Sequence, residues 1–403
     1  MTDGPRIALC HEWITTRGGS ERVAVEICRA LDIEDVYVFT ADPVLARRLF
    51  PSQHIIMTRP GRLGWVRRHW AFALPVMPFG WRRFDLSGYD IVITNAHSCA
   101  NSVKTHPDTV RLSMCHTPMR YAWWPASEIR RLPLPLRVIW PLGAAVFRRL
   151  DRGWSRRVHA YYGNSRFSAE RVSECYGVEA GVIHPPIDLD FWRPDPSVER
   201  GDYFLIAGRL VAYKEVILAL LAANLAGERL IVAGDGPQLA DLRQAAGPTV
   251  EFEVAPTDER LRELYQGAIA LVQPGVEEFG MTMIEAAACG TPGLAFGKGG
   301  ACETIVDGVT GLLYPEMTPR RLAIEMSRFD PYDYDTADIV EHADRFSTAE
   351  FHQKVRDAAA RAVLAHSGSS RRSEWAEALL AMKTQSNRPP TDVPTTRTDP
   401  RIR

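Results

Sequence analysis

Two glutamates eight residues apart, Glu277 and Glu285, flank the segment Glu278-Phe-Gly-Met281, which leads from an apolar run into a helical pattern. A strand, a short loop containing Gly280 and a helix opening near Met281 leave the backbone N–H groups of Phe279, Gly280 and Met281 without intrahelical partners. Such a helix start is a natural seat for an anion, and a diphosphate fits it. The glutamates suit the rest of such a ligand, because each carboxylate oxygen accepts hydrogen bonds from sugar or ribose hydroxyls. The plainer alternative is that Glu277 is a solvated loop charge and Glu285 an ordinary helix residue.

Cations that would accompany a diphosphate are close in sequence. Ala207-Gly-Arg-Leu-Val-Ala-Tyr-Lys214 ends a strand in a glycine turn and sets Arg209 and Lys214 just past its carboxyl end, where open α/β sheets bind ligands. Lysines are scarce in this arginine-rich chain, so Lys214 reads as functional, whereas a surface turn is the default for Arg209. Gly234 and Asp235, in Ala233-Gly-Asp-Gly-Pro237, end the next strand, either approaching a nucleoside closely or making a tight turn. The third glycine of a dinucleotide fingerprint is missing. In the first half, Gly18 and Gly19 open a helix with Val23, Ile27, Ala30 and Leu31 on one face, a second place where backbone can approach phosphate. His116 stands at the carboxyl end of another strand, where a histidine is either structural or placed for catalysis.

The elements that must position these residues are legible as short apolar runs alternating with helical patterns, which predicts βα units and parallel sheets. Ile7–Cys10, Val36–Thr40, Ile91–Asn95, Val110–Cys115 and Val158–Gly163 would build one sheet. Tyr203–Ala207, Leu230–Ala233, Val250–Val254, Ile269–Gln273, Gly293–Phe296 and Gly311–Tyr314 would build a second. Four prolines between His184 and Pro196 argue for an extended connector. The predicted organisation is a domain over 1–185, a linker over 186–200, a domain over 201–385 whose final helices are candidates to pack back on the first, and a disordered tail over 386–403.

At 403 residues and 46% hydrophobic content the chain is too long for a small binding module and suits two domains. A net charge of −1 argues against a general nucleic-acid binder, but it conceals a division: residues 1–190 carry 25 basic and 18 acidic side chains, residues 191–403 carry 23 and 31. Seven scattered cysteines without a C-x-x-C pair predict neither a zinc site nor a disulfide framework, and a reducing cytoplasm. With no leader pattern at the N-terminus and no run of ~18 apolar residues, a soluble or peripheral protein is expected. Arginines interleave with aromatics in two stretches, Arg59–Arg83 (with Trp65, Trp70, Phe72, Phe79 and Trp81) and Arg130–Arg157 (with Trp140, Phe147 and Trp154). Such a mixture suits an anionic membrane surface; the alternative is a solvated basic face over a core.

Taken in order, Gly-Gly-Ser-Glu-Arg22, Cys115-His-Thr-Pro-Met-Arg-Tyr, Gly163-Asn-Ser-Arg-Phe, Gly208-Arg-Leu-x-x-x-Lys, Gly234-Asp-Gly-Pro and Glu277-x7-Glu followed by Ala-Cys-Gly-Thr-Pro resemble glycosyltransferase family 4. The resemblance runs from about residue 6 to about residue 365. It implies an α/β GT-B fold, two facing Rossmann-like domains with a cleft between, the first on the acceptor side and the second binding a sugar nucleotide. It places Gly18 and Gly19 against the donor phosphates, Arg209 and Lys214 on the diphosphate, Glu277 on donor-sugar hydroxyls, the amides of Phe279, Gly280 and Met281 near sugar and phosphates, Glu285 on the ribose and His116 beside the transferring sugar. The segment from Cys115 to Trp123 looks most like the bacterial branch that uses GDP-mannose in polysaccharide assembly.

The resemblance further implies a retaining hexosyl transfer without metal or other cofactor, in which the departing diphosphate takes the acceptor's proton and the protein supplies orientation and charge. The Asp188-Leu-Asp190 and Asp333-Tyr-Asp335 triplets read as structural rather than metal-binding. A lipid-linked or polysaccharide-precursor glycan at the inner face of the plasma membrane is the expected acceptor. Competing readings are a UDP-sugar donor, a covalent role for Glu277 of the glycosidase kind, a sugar-nucleotide epimerase, and a non-catalytic nucleotide-sugar-binding protein.

Overall fold

The computed structural model describes residues 4–68, 73–74, 76–124, 134–366 and 371–382. Trp70, Phe72, Arg130, Arg131 and the tail expected over 386–403 lie outside the described residues. The chain forms two parallel sheets. The first contains β1 (Ile7–Ile14), β2 (Asp35–Ala41), β3 (His54–Met57), β4 (Ile91–Ala96), β5 (Val110–Cys115), β6 (Ala160–Gly163) and β7 (Ala180–Val182), in the order β3-β2-β1-β4-β5-β6-β7. The second contains β8 (Tyr203–Ala207), β9 (Arg229–Ala233), β10 (Val250–Glu253), β11 (Leu271–Gln273), β12 (Gly293–Phe296) and β13 (Gly311–Tyr314), in the order β10-β9-β8-β11-β12-β13. Both are doubly wound: strand order reverses between β1 and β4 in one sheet and between β8 and β11 in the other.

Each sheet is buried on both faces, which is why its strands read as near-continuous apolar runs. On one face of the first sheet, Leu9, Val38, Ile93 and Leu112 pack with Val23 and Ile27 of the helix Gly19–Leu31. The same core takes Phe351, Val355 and Val363 from the helix Thr348–Ala365 and Leu379 from the helix Arg371–Ala381. The last two helices therefore complete the first domain. The opposite face holds Ala8, Cys10, Phe39, Met77 and the fully buried Trp81. The segment 186–200 is anchored in its first half, where Ile187 forms a parallel bridge with Ser347 and Trp192 lies edge-on to Tyr265 in the core of the second domain, while 193–199 are exposed.

Differences from the sequence reading occur at strand ends and edges. β3 and β7 were not anticipated; they are four and three residues long and lie at the two edges of their sheet, where little apolar surface is needed. β1 runs four residues past Cys10, because its ladder with β2 continues to Ile14 opposite Ala41 and carries the polar pair His11 and Glu12 into the interior.

Glu12 is wholly buried, and its Oε1 accepts from the backbone N–H of Ser98 at 2.8 Å and of Ala100 at 2.9 Å, while Oε2 has no partner. Burial pushes its pKa from 4.5 up to about 7, against the opposing pull of those amides. Between these values the native state holds a proton that the unfolded chain has released, so stability falls as pH rises through the window. A shift of this size corresponds to about 3 kcal/mol. Glu12→Gln is expected to abolish that decline and to exceed the parent in stability above about pH 7, as read by denaturant unfolding across pH.

Candidate active site

The carboxyl ends of β1 and β4 flank the reversal point of the first sheet, and the register sets His11 opposite Asn95. Asn95 Nδ2 donates to the Ser20 carbonyl at 2.8 Å and lies 3.1 Å from His11 Nδ1, while Asn95 Oδ1 is 2.8 Å from His116 Nε2. His116 follows β5, its own N–H bonded to the Ala96 carbonyl, so the sequence reading of a strand-end histidine describes its place. Burial, reinforced by His11 and opposed by Glu21, lowers its pKa to about 4. His97 is also held neutral, by burial and then by the neighbouring His116, His11 and Arg120.

Gly18 caps the helix Gly19–Leu31 in extended conformation, and the Glu21 side chain lies behind it, 2.8 Å from where a Cβ would stand. A Cβ on Gly19 would stand 2.8 Å from Met281 Sδ of the second domain. The two glycines thus bring bare backbone to the cleft, and the helix of one domain abuts the helix of the other.

At the reversal point of the second sheet, β8 ends in Gly208, in left-handed conformation at φ +118, and the chain turns through Ala212–Lys214. Lys214 Nζ donates to Glu277 Oε1 at 2.9 Å, with both side chains largely buried. Burial by itself would lower the Lys214 pKa, but the Glu277 carboxylate outweighs it and the ammonium is held charged. One of its three N–H donors is committed to Glu277, leaving two for a ligand. Arg209, assigned with Lys214 to the diphosphate in the sequence reading, is exposed, with no partner among the described residues.

The helix Met281–Ala288 begins where expected, with Gly280 as its left-handed N-cap at φ +91. The Phe279 side chain is core, stacked on His184 and against Phe346, so only its backbone can serve a ligand. Glu285 is buried; Tyr265 Oη donates to its Oε2 at 3.1 Å, and the Arg22 guanidinium pairs with its Oε1. Gly234 has a packing reason independent of any ligand: at φ +152, its Cβ would stand 1.9 Å from the Gly208 carbonyl oxygen. Asp235 is exposed and its carboxylate accepts from the Gly236 N–H at 2.7 Å, closing the turn.

The two reversal points face each other, joined by Arg22 to Glu285, by Arg17 to Asp258 at 2.5 Å, and by Arg120 and Arg171 to the single carboxylate of Glu278, the latter at 2.9 Å. Glu303 accepts from the Arg166 backbone N–H at 2.7 Å and lies 3.0 Å from His184 Nε2. Sequence reasoning missed Arg22, Asn95, Arg120, Arg171, Tyr265 and Glu278. For Asn95 a signal existed: it is a polar residue at the carboxyl end of an otherwise apolar strand. Arg22 and Arg120 stand within two of the quoted motifs, Gly-Gly-Ser-Glu-Arg22 and Cys115-His-Thr-Pro-Met-Arg-Tyr, which gave them no individual role; Arg171 carried no signal in so arginine-rich a chain.

Comparison with known proteins assigns both halves. Residues 17–191 match the family described as Glycosyltransferase Family 4, and residues 190–329 match Glycosyl transferases group 1. The D-inositol 3-phosphate glycosyltransferase of Nocardiopsis dassonvillei is 31% identical over 205 residues, 43% of this chain and 48% of that protein. The enzyme of that name from Mycobacterium avium is 36% identical over 154 residues, 33% of this chain and 36% of its own. The matches thus span less than half the length of these curated relatives. Among solved structures, sucrose-phosphate synthase from Thermosynechococcus elongatus superposes with TM-score 0.69 at 20% identity, over 90% of this chain and 99% of that one. Anabaena HepE in complex with UDP gives 0.66 at 17% identity, over 88% of this chain and 100% of that one. With two doubly wound parallel sheets facing across a cleft and both halves matched, the chain belongs to the family 4 glycosyltransferases of the GT-B fold.

Proposed function

We propose that this chain is a retaining hexosyltransferase that takes mannose from GDP-mannose and passes it to a lipid-linked or polysaccharide-precursor glycan. The observation that carries the reading is the Lys214–Glu277 pair beside the amino end of the helix Met281–Ala288, at the reversal point of the second sheet and against the glycine turn of the first. The relation to HepE, whose structure holds UDP, supports a nucleotide-sugar donor. The motif from Cys115 to Trp123 supports the mannosyl branch.

In this reading the diphosphate lies between Lys214, the N–H groups of Gly280 and Met281, and the Gly18–Gly19 turn. Glu277, oriented by Lys214, accepts hydrogen bonds from donor-sugar hydroxyls, and Glu285 accepts from the ribose while Arg22 and Tyr265 hold its carboxylate. The bond from the sugar's anomeric carbon to phosphate breaks as the bond to the acceptor oxygen forms on the same face, and the departing diphosphate takes the acceptor's proton. Lys214 and the helix start offset the charge that develops on the leaving group. No metal enters this scheme.

The acceptor side is proposed to rest on an anionic membrane. Leu63, Trp65 and Phe79 are exposed on the first domain beside the exposed Arg62, Arg68, Arg82 and Arg83. Leu142, Val146 and Leu150 recur every four residues along the helix Leu134–Ser155, all exposed, with Arg149 among them. Apolar side chains flanked by cations suit insertion at a charged headgroup boundary. No helix among the described residues is long and apolar enough to cross a membrane.

A thermal-shift panel of GDP-, UDP- and ADP-sugars is expected to show stabilisation by GDP-mannose, worth about 2.7 kcal/mol at a hundredfold excess over Kd. Stabilisation by UDP-sugars alone would move the donor to uridine nucleotides. In a transfer assay run with EDTA throughout, Lys214→Ala is expected to lower kcat by about 10²- to 10³-fold while acceptor binding is retained; an unchanged rate, or a parent enzyme silenced by EDTA, contradicts the scheme. Sedimentation with phosphatidylglycerol vesicles at low salt should capture the chain, and Trp65→Ala with Phe79→Ala should weaken that capture.

A further inference from the structure

The hydrogen bonds around Asn95 determine where the proton on His116 must sit. The Ser20 carbonyl oxygen has no proton to give, so the atom that meets it at 2.8 Å must be the Asn95 amide nitrogen. That orients the whole amide and turns its Oδ1 toward His116 Nε2, 2.8 Å away. An amide oxygen is an acceptor only, so Nε2 carries the ring proton. The ring is neutral, since burial pushes its pKa down to about 4. Nδ1 is then a bare acceptor; it has no partner among the described residues and is not among the atoms sealed from solvent without one. The second amide hydrogen of Asn95 points to His11 Nδ1 at 3.1 Å, which sets the His11 proton on Nε2, 3.8 Å from Glu21 Oε1. Ser20 and Glu21 lie in the first turn of the helix that Gly18 and Gly19 open, so the glycine turn and the His116 ring are held by one network.

We propose that Asn95 is a positioning residue that locks His116 in the Nε2–H tautomer, so that Nδ1 accepts a hydrogen bond from a sugar hydroxyl in the cleft. That the ligand is a sugar rests on the glycosyl-transfer reading; the tautomer does not. An imidazole is neutral in either tautomer, but only this one offers Nδ1 as an acceptor, and a ring with Nδ1 protonated would oppose any group that seeks to donate there. The charged and titratable groups facing His116 are His11 from β1, Glu21 from the helix Gly19–Leu31 and His97 from the turn after β4; Arg120, from the short helix Arg120–Trp123, acts on His97.

The test combines nitrogen-15 NMR of the histidine rings in the full chain, with His116→Gln to assign the signal, and transfer kinetics of two variants. The parent should show a neutral His116 with its proton on Nε2. Asn95→Leu should release the tautomer into a mixture and lower kcat more than it raises KM, by about 10- to 100-fold, the range found for partners that orient metal-bound imidazoles. Asn95→Asp sets a carboxylate beside Nε2, which raises the His116 pKa. Its transfer should therefore approach the parent's at high pH and fail as pH drops through that raised pKa, a profile that simple misfolding does not give. A proton found on Nδ1 in the parent, or an Asn95→Leu variant with parental tautomer and kcat, overturns the assignment. A parent with the stated tautomer that transfers no hexose from any sugar nucleotide overturns the glycosyl-transfer reading and leaves the role of Asn95 standing.

Discussion

A doubly wound parallel sheet has one place where successive strands leave in opposite directions, and the crevice opened there at the carboxyl ends cannot be filled by the sheet's own crossovers. Both sheets of this protein obey that constraint, and the central polar residues of the candidate site lie on it. At the reversal between β1 and β4 stand His11, Asn95 and the Gly18–Gly19 turn; at the reversal between β8 and β11 stand Gly208, Lys214 and Glu277. The helices whose amino ends border the crevices, Gly19–Leu31 and Met281–Ala288, supply unpaired backbone N–H groups at the same level. Charge, backbone donors and bare glycine backbone converge because the topology leaves them nowhere else to meet.

The contacts that hold the two crevices face to face are ionic, and energetics suggests what they do. Glu285 is buried and Arg22 about one-third exposed; Glu278 shares its carboxylate between Arg120 and Arg171. A buried pair of this kind adds little net stability because desolvation offsets attraction, yet removing one partner leaves a costly unpaired charge. Such pairs therefore specify which residues meet more than how tightly the domains adhere. Arg120 also stacks its guanidinium 4.4 Å over the Tyr213 ring, next to Lys214, so the same side chain bears on two elements of the opposite domain.

Much of this was legible in the sequence, and the boundary of legibility is physical. β8 and the helix from Met281 were placed correctly because a sheet buried on both faces leaves runs such as Tyr203–Ala207 uniformly apolar, and because glycine at 208 and 280 marks turns that other residues resist. Lys214 and Glu277 were each recognised, yet their mutual contact was not foreseen, since it joins residues 63 positions apart. Arg22 and Glu285 are 263 apart and belong to different domains, so nothing in local spacing could join them. The extension of β1 was missed because His11 and Glu12 look like the start of a loop; only the amides of Ser98 and Ala100 make a buried carboxyl tolerable there. Phe279 was read for its backbone N–H alone; that its ring belongs to the core is a second role which local spacing does not show.

The chain leaves the first domain near Ile187, builds the second, and returns beside its own path at Ser347 to lay Phe351, Val355, Val363 and Leu379 on the first sheet. During synthesis those helices emerge after both sheets. The domain begun first is therefore finished second: the helix Gly19–Leu31 covers part of one hydrophobic face, and the rest waits uncovered while the whole second domain is translated. Because chains acquire structure from the amino end as they are made, that uncovered face is the stage at which a nascent chain is most exposed to misassembly.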